Sequence, residues 1–276
     1  MVSQTLPVVL RAELEEFRCI APSKEAQQNP SSVLLAWPVG PQEVRLAASE
    51  VHVWSTRLDA CEEETGSCWE VLSSDERQRA ERFRFVSDRL RFVVARGVLR
   101  KLLGRYLGMP GSEVRLRYGM FGKPALHDWH ESDLHFNLAH CRELALYGFA
   151  RSRRVGLDVE SGTPRFLMPG VPECSFTAAE QHALHALPPA RRTLASLTLW
   201  TRKEAYVKAL GCGLQQDLRS FEISVPPAWP AVLRRVDGDA ERSHWSFHHL
   251  EPAQNFVGTL CVENKAETRL WSCQLG

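Results

Sequence analysis

The spacing of apolar and polar side chains divides the chain into two stretches with the same order of elements. In the first, Val51, Val53 and Ser55 alternate with His52 and Trp54, which is the period of a strand. Ser73-Ser74-Asp75-Glu76 then offers hydroxyls to cap free N–H groups and acids suited to the positive end of a helix dipole, so a short helix carrying Arg77, Arg79 and Arg82 is expected. Ser87-Asp88 opens a longer one. Its apolar residues Leu90, Val93, Val94, Val98, Leu99, Leu102, Leu103 and Leu107 keep helical spacing until Gly108 and Pro110 end it. Strand-like runs follow at Val114 to Tyr118, Leu134 to Leu138 and Leu144 to Phe149, with a glycine-rich turn holding Gly119, Gly122, Lys123 and Pro124 between them.

The second stretch begins after the basic link Arg151-Ser152-Arg153-Arg154. It predicts a strand at Val155 to Val159, a helix opened by a capping box at Thr177-Ala178-Ala179-Glu180, and a long helix from about Ala190 to Leu210 closed by Gly211 and Gly213. Strand-like runs at Phe221 to Val225, Trp245 to Leu250 and Phe256 to Val262 complete it. Strand, long helix, then strands in each half predicts an α+β protein of two similar lobes, 49–153 and 154–276, behind an N-terminal extension, 1–48. Element order alone carries this; no residue-level identity between the halves is visible. The tryptophans Trp54, Trp69, Trp129, Trp229, Trp245 and Trp271 are read as core or interface anchors.

Composition narrows the functional classes. The 276 residues, 44% hydrophobic and 24% charged, fit an ordinary globular protein with a sizeable core. Thirty-four basic and thirty-three acidic residues leave a net charge of +1, so no global field draws the chain to nucleic acid or membrane, and an anionic ligand must be met by a local cluster. Eight cysteines without metal-ligand spacing read as reduced thiols. The apolar run Leu6 to Leu10 is too short for a signal-peptide core, and no segment approaches a membrane span, so a cytoplasmic monomer is expected.

Two patterns carry chemistry. Val155-Gly156-Leu157-Asp158-Val159-Glu160 is an apolar strand ending in acids at i and i+2, which a strand turns to one side. In Trp200 to Leu214, Glu204 and Lys208 stand four residues apart on one helical face. Taken singly, each pattern also describes ordinary solvated charge. Taken together, three carboxylates with no His or Cys among them suit Mg²⁺, which takes few carboxylates and keeps water and phosphate oxygens, and they speak against zinc.

With FGKPAL at Phe121 to Leu126 and FNLAH at Phe136 to His140, these segments stand in an order that resembles the motif set of the Sfp-type 4′-phosphopantetheinyl transferases, over roughly residues 50 to 262. The resemblance implies two lobes in pseudo-two-fold arrangement, each a small, mostly antiparallel sheet on a long helix, with coenzyme A and Mg²⁺ at their junction. It implies transfer of phosphopantetheine from coenzyme A to a serine of an apo acyl or peptidyl carrier domain, the holo-[acyl-carrier-protein] synthase type of reaction, releasing adenosine 3′,5′-bisphosphate. Carried over by motif, Asp158, Glu160 and Glu204 are the metal acids, Glu204 doubles as general base, and Lys208 faces the pyrophosphate. Lys123 and His140 are placed near coenzyme A phosphates, and Arg79 and Arg91 are matched to the 3′-phosphate by their offset from Phe83. Ala139 departs from the family's Ser, removing a hydroxyl that could have met phosphate. The apolar segment Gly162 to Cys174 is expected to help dock the carrier. A Mg²⁺-dependent nuclease or phosphodiesterase and a catalytically degenerate carrier-binding scaffold are the rival readings.

Overall fold

The computed structural model describes residues 36–162, 175–213, 216–228, 230–235 and 244–274. In chain order the elements are β1 (Glu50–Arg57), α1 (Glu62–Glu70), α2 (Ser74–Glu81), α3 (Val86–Leu107), β2 (Leu116–Tyr118), β3 (Pro124–Leu126), β4 (Leu134–Cys141), β5 (Leu144–Arg151) and β6 (Val155–Ser161). They continue with α4 (Ala178–His185), α5 (Pro189–Leu210), β7 (Glu222–Ile223), β8 (Leu233–Arg235), β9 (Trp245–Leu250), β10 (Phe256–Glu263) and β11 (Glu267–Ser272). The architecture is α+β, as the element order predicts.

Two sheets organise the molecule. One runs β11-β1-β5-β4 and the other β6-β10-β9. Helix α3 packs its Val94, Val98 and Leu102 with Trp54, Tyr147 and Phe149 of the first sheet, and α5 packs Ala205 and Tyr206 with Phe247 and Cys261 of the second. A third cluster, including Val51, Val53, Leu146, Leu157 and Leu260, lies between the sheets and joins the lobes. Strand β1 is therefore buried on both faces from Val51 to Thr56, rather than on the one face its alternation suggests. The polar His52 and the Trp54 indole are satisfied inside, both reaching the Tyr106 hydroxyl, at 2.9 and 2.8 Å.

The last strand corrects the division at residue 154 in one respect. β11 pairs in parallel with β1, from Glu50 opposite Glu267 to Ser55 opposite Ser272, so the C-terminal strand completes the first lobe's sheet. Helix α1 has no apolar period strong enough to announce it; the acids of its first turn, Glu62 to Glu64, fit its N-terminus. Trp129 is 53% exposed beneath the Arg115 guanidinium, 4.6 Å from the ring centre, and is not a core anchor. Trp229 and the segment 163–174 lie outside the described residues. Among the described residues no helix is long and apolar enough to cross a membrane.

The two-fold relation extends to single residues. Helices α3 and α5 are both 22 residues long and end on left-handed glycines, Gly108 and Gly211, at φ 67° and 76°. The short helix before each begins with a capping box, Ser73 with Glu76 and Thr177 with Glu180. Each box glutamate also takes a cation from the long helix: Glu76 pairs with Arg96 and Arg100, Glu180 with Lys203. Arg100 and Lys203 occupy the same position relative to the first residues of their helices, Val86 and Pro189.

Candidate active site

The site forms where β6 lies directly on α5. Gly156 makes that contact possible, since a β-carbon there would come 2.1 Å from the Ala205 carbonyl oxygen and 2.3 Å from the Ala209 nitrogen. Opposite, Asn137 of β4 accepts a 2.7 Å hydrogen bond from the Leu157 amide and fixes the same strand from the first lobe. Two residues beyond Gly156, Asp158 turns to the helix as well. Its register partner on β10, Thr259, meets Thr201 of α5 hydroxyl to hydroxyl at 2.9 Å.

Glu204 and Lys208 look back from α5. Lys208 Nζ lies 2.5 Å from Asp158 Oδ1, and the Asp158 and Glu204 side chains are buried. Burial acts to lower the Lys208 pKa, but the charges of Asp158, Glu204 and Glu160 outweigh it and hold the ammonium above its ordinary value. Glu160, two residues after Asp158, goes the other way: burial first, then repulsion from Asp158, pushes its carboxyl up to about 8. Lys208, the Cys141 thiol and the Trp200 indole all favour its ionised form, without reversing the shift. The Cys141 thiol is itself pushed up, by burial and then by Glu160.

Four of the residues read from sequence are thus brought together: Asp158, Glu160, Glu204 and Lys208. The others stand elsewhere. Lys123 Nζ donates to the Val155 carbonyl at 3.3 Å and to the Lys208 and Ala209 carbonyls at 2.5 and 3.5 Å, so its ammonium sits at the negative end of α5. Burial, with a lesser push from Arg154, lowers it to about 8. It borders a cavity of about 470 Å³ whose lining also includes Arg117, His127, His135 and Arg154. His140 is exposed near the end of β4, next to Cys141. Arg91 pairs with Asp59 at 3.0 Å, and Arg79 covers the Phe92 ring at 5.4 Å. Neither arginine touches the carboxylates.

Cys141 and Asn137 were not legible as site residues. Each sits in β4, and only the packing of β4 beside β6 directs them there. Arg202 and Lys203, inside the same run as Glu204, turn out to be structural. Arg202 donates to the Ser224 carbonyl at 2.6 Å, and Lys203 to the Leu218 and Phe221 carbonyls at 2.6 and 2.9 Å.

Chemically the arrangement is a cluster of oxygen acids with one ammonium among them. As placed, no three described His, Cys, Asp or Glu side chains enclose a metal ion. The donor set nonetheless fits a hard divalent cation: it is all carboxylate, and Asp158 and Glu160 stand close enough to repel each other, a repulsion that a cation between them would relieve.

Two family descriptions match the chain, "4′-phosphopantetheinyl transferase superfamily" over residues 154–261 and "4′-phosphopantetheinyl transferase, N-terminal" over 57–148. The 4′-phosphopantetheinyl transferase HetI of Nostoc sp. is 37% identical over 227 residues, which are 82% of this chain and 93% of that protein. A putative 4′-phosphopantetheinyl transferase of Synechocystis sp. is 31% identical over 63% of this chain and 70% of its own, and the Sfp transferase of Bacillus subtilis 27% identical over 59% and 70%.

Proposed function

The chain belongs to the 4′-phosphopantetheinyl transferase family, and on that premise we propose that it transfers the phosphopantetheine arm of coenzyme A to a serine of an apo acyl or peptidyl carrier domain. The single observation that carries this reading beyond the family is the convergence of Asp158, Glu160 and Glu204 on Lys208 across β6 and α5. In the transfer a bond forms between the serine oxygen and the β-phosphorus of coenzyme A. The bond from that phosphorus to the bridging oxygen breaks, adenosine 3′,5′-bisphosphate leaves, and the serine proton is taken up.

Such a reaction relies on positioning and on electrostatics rather than on covalent help from the protein. Asp158, Glu160 and Glu204 would hold Mg²⁺, which when bound neutralises pyrophosphate charge. Glu204 accepts the serine proton. Lys208 stabilises charge on the phosphoryl oxygens and on the leaving group. His140, Arg91 and Arg79 serve the coenzyme A phosphates. Lys123 serves the site from behind, through its hold on the last turn of α5.

Mass spectrometry of an apo carrier protein incubated with coenzyme A, MgCl₂ and this protein tests the reading. The carrier should gain the mass of one phosphopantetheine. No gain on any of several acyl and peptidyl carriers would overturn it.

A further inference from the structure

A groove of about 800 Å³ runs along the first half of α5, between that helix and the β9–β10 turn. Ala190, Leu194 and Ala195 of α5 line one wall, and Ala253 and Phe256 line the other. Leu194 is 56% exposed there, although Ala195, Ala253 and Phe256 around it are buried. A large apolar side chain standing open in an apolar groove favours a covering partner. None of these residues has a part in the transfer reaction, although Val257, which also lines the groove, is the register partner of Glu160.

The chain itself supplies an occupant. Ahead of β1, the Gly40 amide donates to the Ser272 carbonyl at 3.0 Å, and the Pro38 carbonyl accepts from the Ser272 amide at 2.7 Å. Trp37 packs against the cluster between the sheets, and the Ala36 amide donates to the Pro252 carbonyl at 2.9 Å. Followed backward, this stretch leads from β11 to the β9–β10 turn and reaches it at Pro252, one residue before Ala253 of the groove wall. The residues ahead of Ala36 suit the groove. From Ala26 to Gln42 none is charged, and Val33-Leu34-Leu35 is an unbroken apolar run, so no charge would lose its water on entering. Reach agrees as well: four extended residues, 32 to 35, span about 13 Å, and Ala190 to Thr198 on the helix wall spans about 12 Å.

We propose that the groove is the docking site of the chain's own N-terminal segment, with Val33, Leu34 and Leu35 seated against Leu194. The segment then clasps the first half of α5 to the β9–β10 turn and buries the apolar surface that the second lobe otherwise leaves to water. The proposal does not depend on the transfer reaction, and its test reads no transfer.

A benzophenone amino acid placed at Leu34 of the full chain, irradiated and followed by mass spectrometry of the cross-linked peptides, tests this directly. Links from position 34 to residues 187–198 or 253–257 of the same chain are expected. Links elsewhere in the chain overturn the proposal, as do links found only in covalent dimers, which would give the groove to a second copy. A benzophenone at Leu194 that reaches 163–174 and not 1–35 likewise overturns it. The melting temperature supplies a second reading. Leu34→Asp and Leu194→Asp should each lower it by about 4 °C, and the double variant by little more than either alone. Met120→Asp, at a side chain 92% exposed and outside the groove lining, should leave it unchanged. Either leucine variant melting with the parent, as an ordinary exposed leucine would allow, overturns the proposal even where no cross-link forms.

Discussion

Lys208 and Asp158 stand 50 residues apart in the chain, and their charged atoms are 2.5 Å apart in the fold. The lysine's other electrostatic partners are Glu204 and Glu160, so the only ammonium of this cluster is surrounded by every acid assigned to the metal. Lys208→Ala should lower kcat by about 10²-fold, the scale on which removal of one preorganised charge-stabilising group acts, and should tighten Mn²⁺ binding measured by electron paramagnetic resonance. Near-wild-type kcat would remove Lys208 from the chemistry.

Glu160 supplies a pH test. Its folded pKa of about 8 exceeds its unfolded value, here 4.5, so the folded metal-free chain binds a proton that the unfolded chain releases. Its contribution favours folding most below the unfolded pKa and is lost as pH rises toward 8. Thermal unfolding between pH 4 and 10 should therefore show stability declining from about pH 5 to about pH 8 and levelling off above it without metal, and Glu160→Gln should flatten the decline. Adding Mg²⁺ at pH 7 should release protons, which calorimetry in buffers of different ionisation enthalpy would register.

Gly156 allows no side chain. Gly156→Ala drives a methyl into the Ala205 carbonyl and the Ala209 amide, both backbone and unable to rotate away. The expected cost is about 3 kcal/mol or more, with α5 displaced from β6. Chemical denaturation measures the first. A variant as stable as the parent would mean that the β6–α5 contact is looser than the structure has it.

Lys203 and Glu180 form a fully buried pair at 2.8 Å, and Glu180 also accepts from the Thr177 and Ile223 amides, at 2.8 and 2.9 Å. Glu180→Ala leaves two amides without their acceptor and the buried Lys203 ammonium, still held by the Leu218 and Phe221 carbonyls, without its counter-charge. It should cost about 3–5 kcal/mol. Because the pair is remote from the chemistry in role, whatever protein still folds should keep its KM for coenzyme A.

For Lys123 the expectation separates position from binding. Lys123→Met removes the donor that ties the Val155, Lys208 and Ala209 carbonyls together. It should reduce kcat and lower the melting temperature while the Kd for coenzyme A, by calorimetry, changes less than threefold. A large loss of affinity at unchanged kcat would return Lys123 to direct phosphate contact.

The sequence by itself determined the α+β order, both long helices with their glycine stops, and the capping box at Thr177, because these depend on local periodicity and on groups a few residues apart. It also put Asp158 with Glu160, and Glu204 with Lys208, on shared faces, since acids at i and i+2 of a strand and an acid and a base at i and i+4 of a helix share a face whatever lies beyond. Tertiary structure decided the rest. Lys123 is a cation in a glycine-rich turn until the end of α5 is folded beside it. Cys141 is an ordinary strand thiol until β4 lies next to β6. The buried pairs of Glu76 and Glu180 reveal a two-fold relation that element order could only suggest, since Arg and Lys fill the matching place and share charge, not identity. β11 joins β1 across more than two hundred residues, a pairing fixed by which sheet edge lay open, and no spacing along the chain records that.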